Sequence, residues 1–239
     1  MKKAIVIGAT SGIGKALARV LAKENYSVGI TGRRTHLLQE LKNENPSAFF
    51  DYTIDNSDLT TVKEKLESLQ QQLGEIDLIV LSAGVGFENP DFEFEKETQT
   101  IQTNVLGFTA VAEWAYSLFT KQKKGHLVVI SSIAGLRGNP DATSYFASKA
   151  YQINFTEGLQ KKAILSKLPI TITDCRPGFV ATKMALGDGI FWMASPERAA
   201  HQIYAAIKSK RKVAYITKRW YLIALLLKCA PKFLYDKYN

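Results

Sequence analysis

In the stretch SYFASKA, Tyr145 and Lys149 stand at positions i and i+4. On a helix such residues share one face. An ammonium beside a phenol favours the phenolate and lowers the tyrosine pKa, which suits a side chain that must give and take protons. The same spacing is also what one turn of an ordinary helix with a polar surface would show. The pair therefore acquires meaning only from the elements that hold it.

Those elements alternate along the whole chain. The apolar run KAIVIG (3–8) reads as a strand buried on both faces, and further strands are expected at 26–31, 48–55, 76–84, 125–132, 169–178 and 212–217. Between them fall helix-period stretches at 15–25, 36–45, 59–74, 98–120, 142–164 and 195–209. Gly74 is expected to close the third helix, and Ser195 with Pro196 to open the last. Strands alternating with helices imply an α/β fold, a doubly wound parallel sheet of about seven strands with helices on both faces. The basic and apolar start, MKKAIVIGATSGIG, is too short in its apolar part for a secretory leader, so it is read as the first strand.

Composition narrows the function classes. At 239 residues, 46% hydrophobic and 22% charged, the chain is an ordinary globular protein. Its net charge of +9 is concentrated in the tail, since residues 208–239 hold nine Lys/Arg against one Asp. The preceding 207 residues are nearly balanced, which argues against a nucleic-acid-binding domain. Cys175 and Cys229 match no metal-site spacing, and a reduced, cytoplasmic setting is expected. His36, His126 and His201 lack partners at ligand spacing, so no metal site is expected.

In such sheets ligands bind at the carboxyl ends of the strands. The first strand-to-helix turn is GATSGIG, with Gly8, Gly12 and Gly14 around Thr10, Ser11 and Ile13. Its glycines would let backbone approach a phosphate at a helix N-terminus. It is not a P-loop, because no Gly-Lys-Ser/Thr follows. At this point the chain resembles the classical short-chain dehydrogenase/reductase family, over about residues 3–217. The resemblance rests on GATSGIG (8–14), SAG (82–84), Asn104, ISSIAG (130–135), YFASK (145–149) and RPGFVAT (176–182), in order and spacing. It implies a Rossmann fold and a catalytic set of Asn104, Ser132, Tyr145 and Lys149. Ser132, thirteen residues before the tyrosine, is assigned over its neighbour Ser131. The chain departs from the pattern at Ser82, where the family carries asparagine.

The resemblance also implies the cofactor contacts. The slot at the end of the second strand, acidic in NAD-binding relatives, is Gly32, followed by Arg33 and Arg34. Arginine can pair with a 2′-phosphate that a carboxylate would repel, so NADP(H) is expected over NAD(H), with Arg33 as the main contact. Asp55 would meet the adenine amino group, and Asn56, Ala83 and Gly84 are further implied cofactor contacts. Tyr145 and Lys149 would meet the nicotinamide ribose, with Pro177, Gly178, Val180 and Thr182 flanking the nicotinamide. In the implied reaction Tyr145 is the general acid/base, Ser132 holds the carbonyl oxygen, and Asn104 holds a water that relays protons to Lys149. The alternative is a catalytically weak NADP-binding regulator or sensor on the same fold.

The segments 85–97 and 183–195 should cover the substrate. Phe191, Trp192 and Met193 in the second suggest a hydrophobic carbonyl or secondary alcohol. Residues 1–217 form the expected catalytic domain and 218–239 a basic, apolar helical extension. WYLIALLL (220–227) is far below the ~20 residues that span a bilayer. Flanked by Lys218, Arg219, Lys228 and Lys232, it would either touch a membrane surface peripherally or pack on protein. A homo-oligomer is expected, a dimer before the tetramer.

Overall fold

The structure, a computed structural model, describes residues 1–182, 184, 191–231 and 235. Seven strands form one parallel sheet in the order β3-β2-β1-β4-β5-β6-β7. They are β1 (Lys2–Ile7), β2 (Tyr26–Gly32), β3 (Phe49–Thr53), β4 (Leu78–Leu81), β5 (Gly125–Ile130), β6 (Ile170–Pro177) and β7 (Val213–Ile216). The order reverses between β1 and β4, which opens a crevice at the carboxyl ends of these two strands.

The apolar runs are continuous because both faces are covered. Ala4 and Val6 of β1 face one layer while Ile5 and Ile7 face the other. Val6 pairs with Val80, which pairs with Val128, so the alternation carries across the sheet in register. On the first face lie α1 (Gly12–Lys23), α2 (Thr35–Glu44) and α7 (Pro196–Lys208); on the second lie α3 (Val62–Leu73), α5 (Phe108–Gln122) and α6 (Thr143–Ser166). The start of α7 follows the sequence reading, with the Ser195 hydroxyl accepting from the Arg198 amide at 3.1 Å and Pro196 in the first turn.

The helix expected at 98–120 is longer and less regular. It begins with α4 (Phe94–Ile101), widens into one π-helical turn at Gln102–Gly107, and continues as α5. The first expected cover segment, 85–97, thus ends inside a helix. A Cβ on Gly107 would fall 2.3 Å from the Asn56 carbonyl oxygen, so only glycine lets the turn lie against the loop after β3. The tail forms α8 (Trp220–Cys229). No described helix is long and apolar enough to cross a membrane. Cys175 is buried, Cys229 is exposed, and both are free.

Candidate active site

The crevice is built on two close approaches. Gly8 takes φ +87°, and a Cβ there would fall 2.6 Å from the Ala83 backbone. A Cβ on Gly14 would fall 2.1 Å from the Gly8 carbonyl oxygen. These glycines let the loop after β1 fold under the loop after β4 and enter α1 directly. Ser82, the departure from the family pattern, donates its amide to the Ile7 carbonyl at 2.9 Å, and its hydroxyl lies against Gly14. The loop is therefore held without asparagine.

The basic turn after β2 joins this cradle. Arg34 Nη2 donates to Thr10 Oγ1 at 2.5 Å and to Ser11 Oγ at 2.8 Å. These partners are neutral, so the guanidinium charge is left at the rim of the glycine loop. Arg33 is exposed and makes no hydrogen bond or ion pair within the described residues. A Cβ on Gly32 would fall 2.6 Å from Thr10 Cγ2, so the turn after β2 packs closely on the glycine loop at that slot. Asp55 Oδ1 accepts from the Ser57 amide at 3.0 Å and the Ser57 hydroxyl at 2.6 Å, which orders the turn after β3, and Asn56 is buried there. On the far side, the 177–182 loop closes the crevice. Val180 is buried and Thr182 Cγ2 lies 3.0 Å from the Cβ position of Gly12.

The four expected catalytic residues converge beside this cradle. Ser132 leaves β5, Tyr145 and Lys149 share the first turns of α6, and Asn104 sits in the π-helical turn. The Ser132 hydroxyl lies beside the Tyr145 phenol, accepts from the Ala134 amide at 3.1 Å and donates to the Pro177 carbonyl at 3.3 Å. Ser131 points the other way and donates to Asp174, whose second oxygen accepts from Arg176 Nε at 2.6 Å. The two neighbouring serines thus divide between the site and a buried ion pair under it.

Lys149 is buried, and its Nζ lies 5.8 Å from the Tyr145 ring centroid. It donates to Gln152 Oε1 at 2.9 Å and to the Ile130 carbonyl at 3.3 Å. Gln152 Nε2 in turn donates to the Asn104 carbonyl at 3.0 Å. Asn104 is fully buried: its Oδ1 accepts from the Val85 amide at 2.9 Å, and its Nδ2 donates to the Val85 carbonyl at 2.7 Å and to Ser148 Oγ at 3.0 Å. A protein amide therefore joins Asn104 to Lys149. Gln152 was missed although its signal was present, a polar residue one turn beyond Lys149 on the face that packs inward.

The electrostatics also differ from the simple expectation. Burial pushes the Tyr145 phenol above its ordinary pKa, with the Ser132 hydrogen bond acting against that rise. Burial lowers the lysine itself to about 8, opposed by the charge of Asp174. Burial thus moves the two groups apart, the phenol above its ordinary value and the ammonium down to about 8, and favours the neutral form of each.

Gly84 completes the floor. A Cβ there would fall 3.3 Å from Asn104 Oδ1 and 3.6 Å from Lys149 Nζ. Of the second cover segment, residues 183 and 185–190 lie outside the described residues. Phe191 and Trp192 are half exposed and reach the indole of Trp220, with ring centroids 5.2 and 6.1 Å away. Among the described residues no cluster of His, Cys, Asp and Glu could hold a metal.

This architecture is shared widely. A serine dehydrogenase complexed with NADP+ superposes with a TM-score of 0.81 at 24% identity, covering 89% of this chain and 93% of the other. A short-chain dehydrogenase/reductase from Burkholderia phymatum in complex with NAD gives 0.84 at 18% identity, covering 94% and 92%. In sequence, an uncharacterized oxidoreductase of Myxococcus xanthus is 34% identical over 190 residues, 77% of this chain and 74% of the relative. One of Mycobacterium tuberculosis is 31% identical over 191 residues, 77% and 75% respectively. Residues 2–188 match the family model described as short chain dehydrogenase. With the glycine cradle, the Ser-Tyr-Lys cluster and these relationships together, the chain belongs to the short-chain dehydrogenase/reductase family of oxidoreductases.

Proposed function

We propose that this protein transfers a hydride between NADP(H) and the carbonyl or secondary alcohol of a hydrophobic small molecule, with Tyr145 as general acid/base. The observation that carries this reading is the convergence of Ser132, Tyr145 and Lys149 beside the glycine cradle, with the lysine ammonium 5.8 Å from the phenol ring and the serine hydroxyl next to it.

The residues present fit a dinucleotide. The loop of Gly8, Thr10, Ser11, Gly12, Ile13 and Gly14 would hold the pyrophosphate at the start of α1. The unpaired Arg33 and the rim-held Arg34 would meet the 2′-phosphate. Asp55 and Asn56 would border the adenine, Ala83, Gly84, Tyr145 and Lys149 the ribose next to nicotinamide, and Pro177, Gly178, Val180 and Thr182 the nicotinamide itself. When bound, the nicotinamide supplies or accepts the hydride.

The chain's own residues manage the proton. In reduction, the Ser132 hydroxyl hydrogen-bonds the carbonyl oxygen and stabilises the charge that develops there. The Tyr145 phenol gives its proton to that oxygen as the alkoxide forms. The phenolate left behind is favoured by the protonated Lys149, which Gln152 and the Ile130 carbonyl hold in place. In oxidation the same proton returns to the phenolate. The half-exposed Phe191 and Trp192 beside the 177–182 loop favour an apolar substrate.

A panel of aldehydes, ketones and alcohols, followed at the nicotinamide absorbance with both cofactors, tests the proposal. Turnover that depends on Tyr145 and prefers NADPH is expected. Near-wild-type turnover by Tyr145→Phe would overturn the role of the tyrosine. Tight NADP binding with no turnover across the panel would favour a regulator.

A further inference from the structure

Among the described residues, helix α8 is fixed to the loops after β5 and β6 on one side and exposed on the other. Its inner side is Trp220, 1% exposed, and Ala224. The indole covers the loop after β6 so closely that a Cβ on Gly178 would fall 2.1 Å from it. Phe179, Phe191 and Trp192 gather around the same ring, at centroid distances of 5.5, 5.2 and 6.1 Å. The carboxyl end of α8 is held by Arg137, five residues beyond Ser132. Its Nε donates to the Leu227 carbonyl at 2.6 Å and its Nη2 to the Ala230 carbonyl. At the amino end, Arg219 Nη2 donates to the Trp192 carbonyl at 2.6 Å.

The outer side is apolar and open. Leu222 and Leu226 are 62% and 65% exposed, with Tyr221, Leu225 and Cys229 exposed between them. The half-exposed Trp192 and Met193 extend this patch toward the substrate loops. Lys218 and Lys228 are exposed at its two ends, and residues 217–231 hold no carboxylate. The carboxylate that feels Lys228 is Glu157 on α6, which is already paired with Lys161 at 2.9 Å.

We infer that the outer face of α8, with Trp192, lies on an anionic lipid surface. An apolar stripe of this length with cations at its ends suits a helix lying flat in the headgroup region, its leucines in the acyl boundary and its lysines on anionic headgroups. Trp192 is the side-chain type that belongs at that depth. A second copy fits the face less well. Apposing two α8 helices brings Lys218, Arg219 and Lys228 against the same cations with no carboxylate between them. The surface would also open the loops at Ser132 and Gly178 to molecules dissolved in lipid, a consequence that rests on the oxidoreductase reading, whereas the binding itself does not.

Flotation of the full chain with vesicles tests the inference. With phosphatidylcholine and phosphatidylglycerol in equal parts, wild type is expected to float, and to float less in high salt or with phosphatidylcholine alone. Lys218→Glu with Lys228→Glu lowers partitioning more than about tenfold, and Leu225→Asn with Leu226→Asn does so by a similar factor. Tyr145→Phe floats as wild type, so binding is read apart from catalysis. Thermal unfolding checks that the variants are folded, and the charge variant stands as the test if the leucine variant is not. Failure to float with anionic vesicles, or flotation indifferent to the substitutions, overturns the inference. So does a lipid-free dimer, seen by light scattering, that the leucine substitutions dissolve.

Discussion

Lys149 gives its ammonium hydrogen to Gln152 Oε1 at 2.9 Å, and Gln152 passes the link to the Asn104 carbonyl at 3.0 Å. The acceptor steadies the charged form of a lysine that burial lowers to about 8. A hydrogen bond to a charged group is worth about 1.5–3 kcal/mol, or roughly one to two pKa units. Gln152→Leu is expected to move the alkaline limb of kcat/KM about one unit lower in pH, and Gln152→Glu to move it higher. Both are read from pH–rate profiles. Profiles that coincide with wild type would reduce Gln152 to packing.

The neighbouring serines should fail in different ways. Ser132→Ala removes the hydroxyl proposed to hold the substrate oxygen, and is expected to cost roughly 10²-fold in kcat with little change in Tm. Ser131→Ala instead withdraws a donor from the buried Asp174–Arg176 pair and should cost about 1–3 kcal/mol of stability. Parallel kinetics and thermal unfolding separate the two. A larger loss of turnover for Ser131→Ala would reverse the assignment.

Cofactor choice is concentrated in the turn after β2. Arg33→Ala is expected to weaken NADPH binding by about tenfold or more and leave NADH binding nearly unchanged, and Arg34→Ala to weaken NADPH binding more than NADH binding, because a charge-assisted pair with the 2′-phosphate is lost. Arg34→Ala should also slacken the glycine loop, since the side chain spans Thr10 and Ser11. Titration by nicotinamide fluorescence measures both. Equal losses for NADH and NADPH would count against the 2′-phosphate contact.

His126 makes the folded state acid-sensitive. Its Nε2 lies 2.8 Å from Thr173 Oγ1, and burial, with the charge of Lys210 adding to it, lowers its pKa to about 4. A histidine depressed in the folded state favours folding above its unfolded pKa of about 6.5, and that contribution is lost as pH falls through about 4. Up to about 3 kcal/mol is involved. The Tm is expected to fall between pH 7 and pH 4, and to fall less in His126→Gln; an unchanged pH dependence in that variant would assign the loss to other groups.

Much of this protein was legible along the chain because the information is local. Continuous apolar runs separated by helix-period segments specify a parallel sheet covered on both faces, and Tyr145 and Lys149 share a helix face by spacing alone. The ordered motifs from the glycine loop to RPGFVAT identified the family. What sequence could not supply depends on contacts across long separations. Gln152 meets the Asn104 carbonyl across 48 positions, Arg137 meets α8 across 90, and Trp220 covers Gly178. Asn104 was expected in a regular helix, while the structure places it in a π-helical turn whose Gly107 lies against Asn56. The direction of the tyrosine pKa also lay outside the sequence, because spacing shows which charge is near and only the folded surroundings show how much water has been removed. For α8, composition showed a short apolar helix with basic flanks, and the tertiary structure decided which of its sides the protein buries.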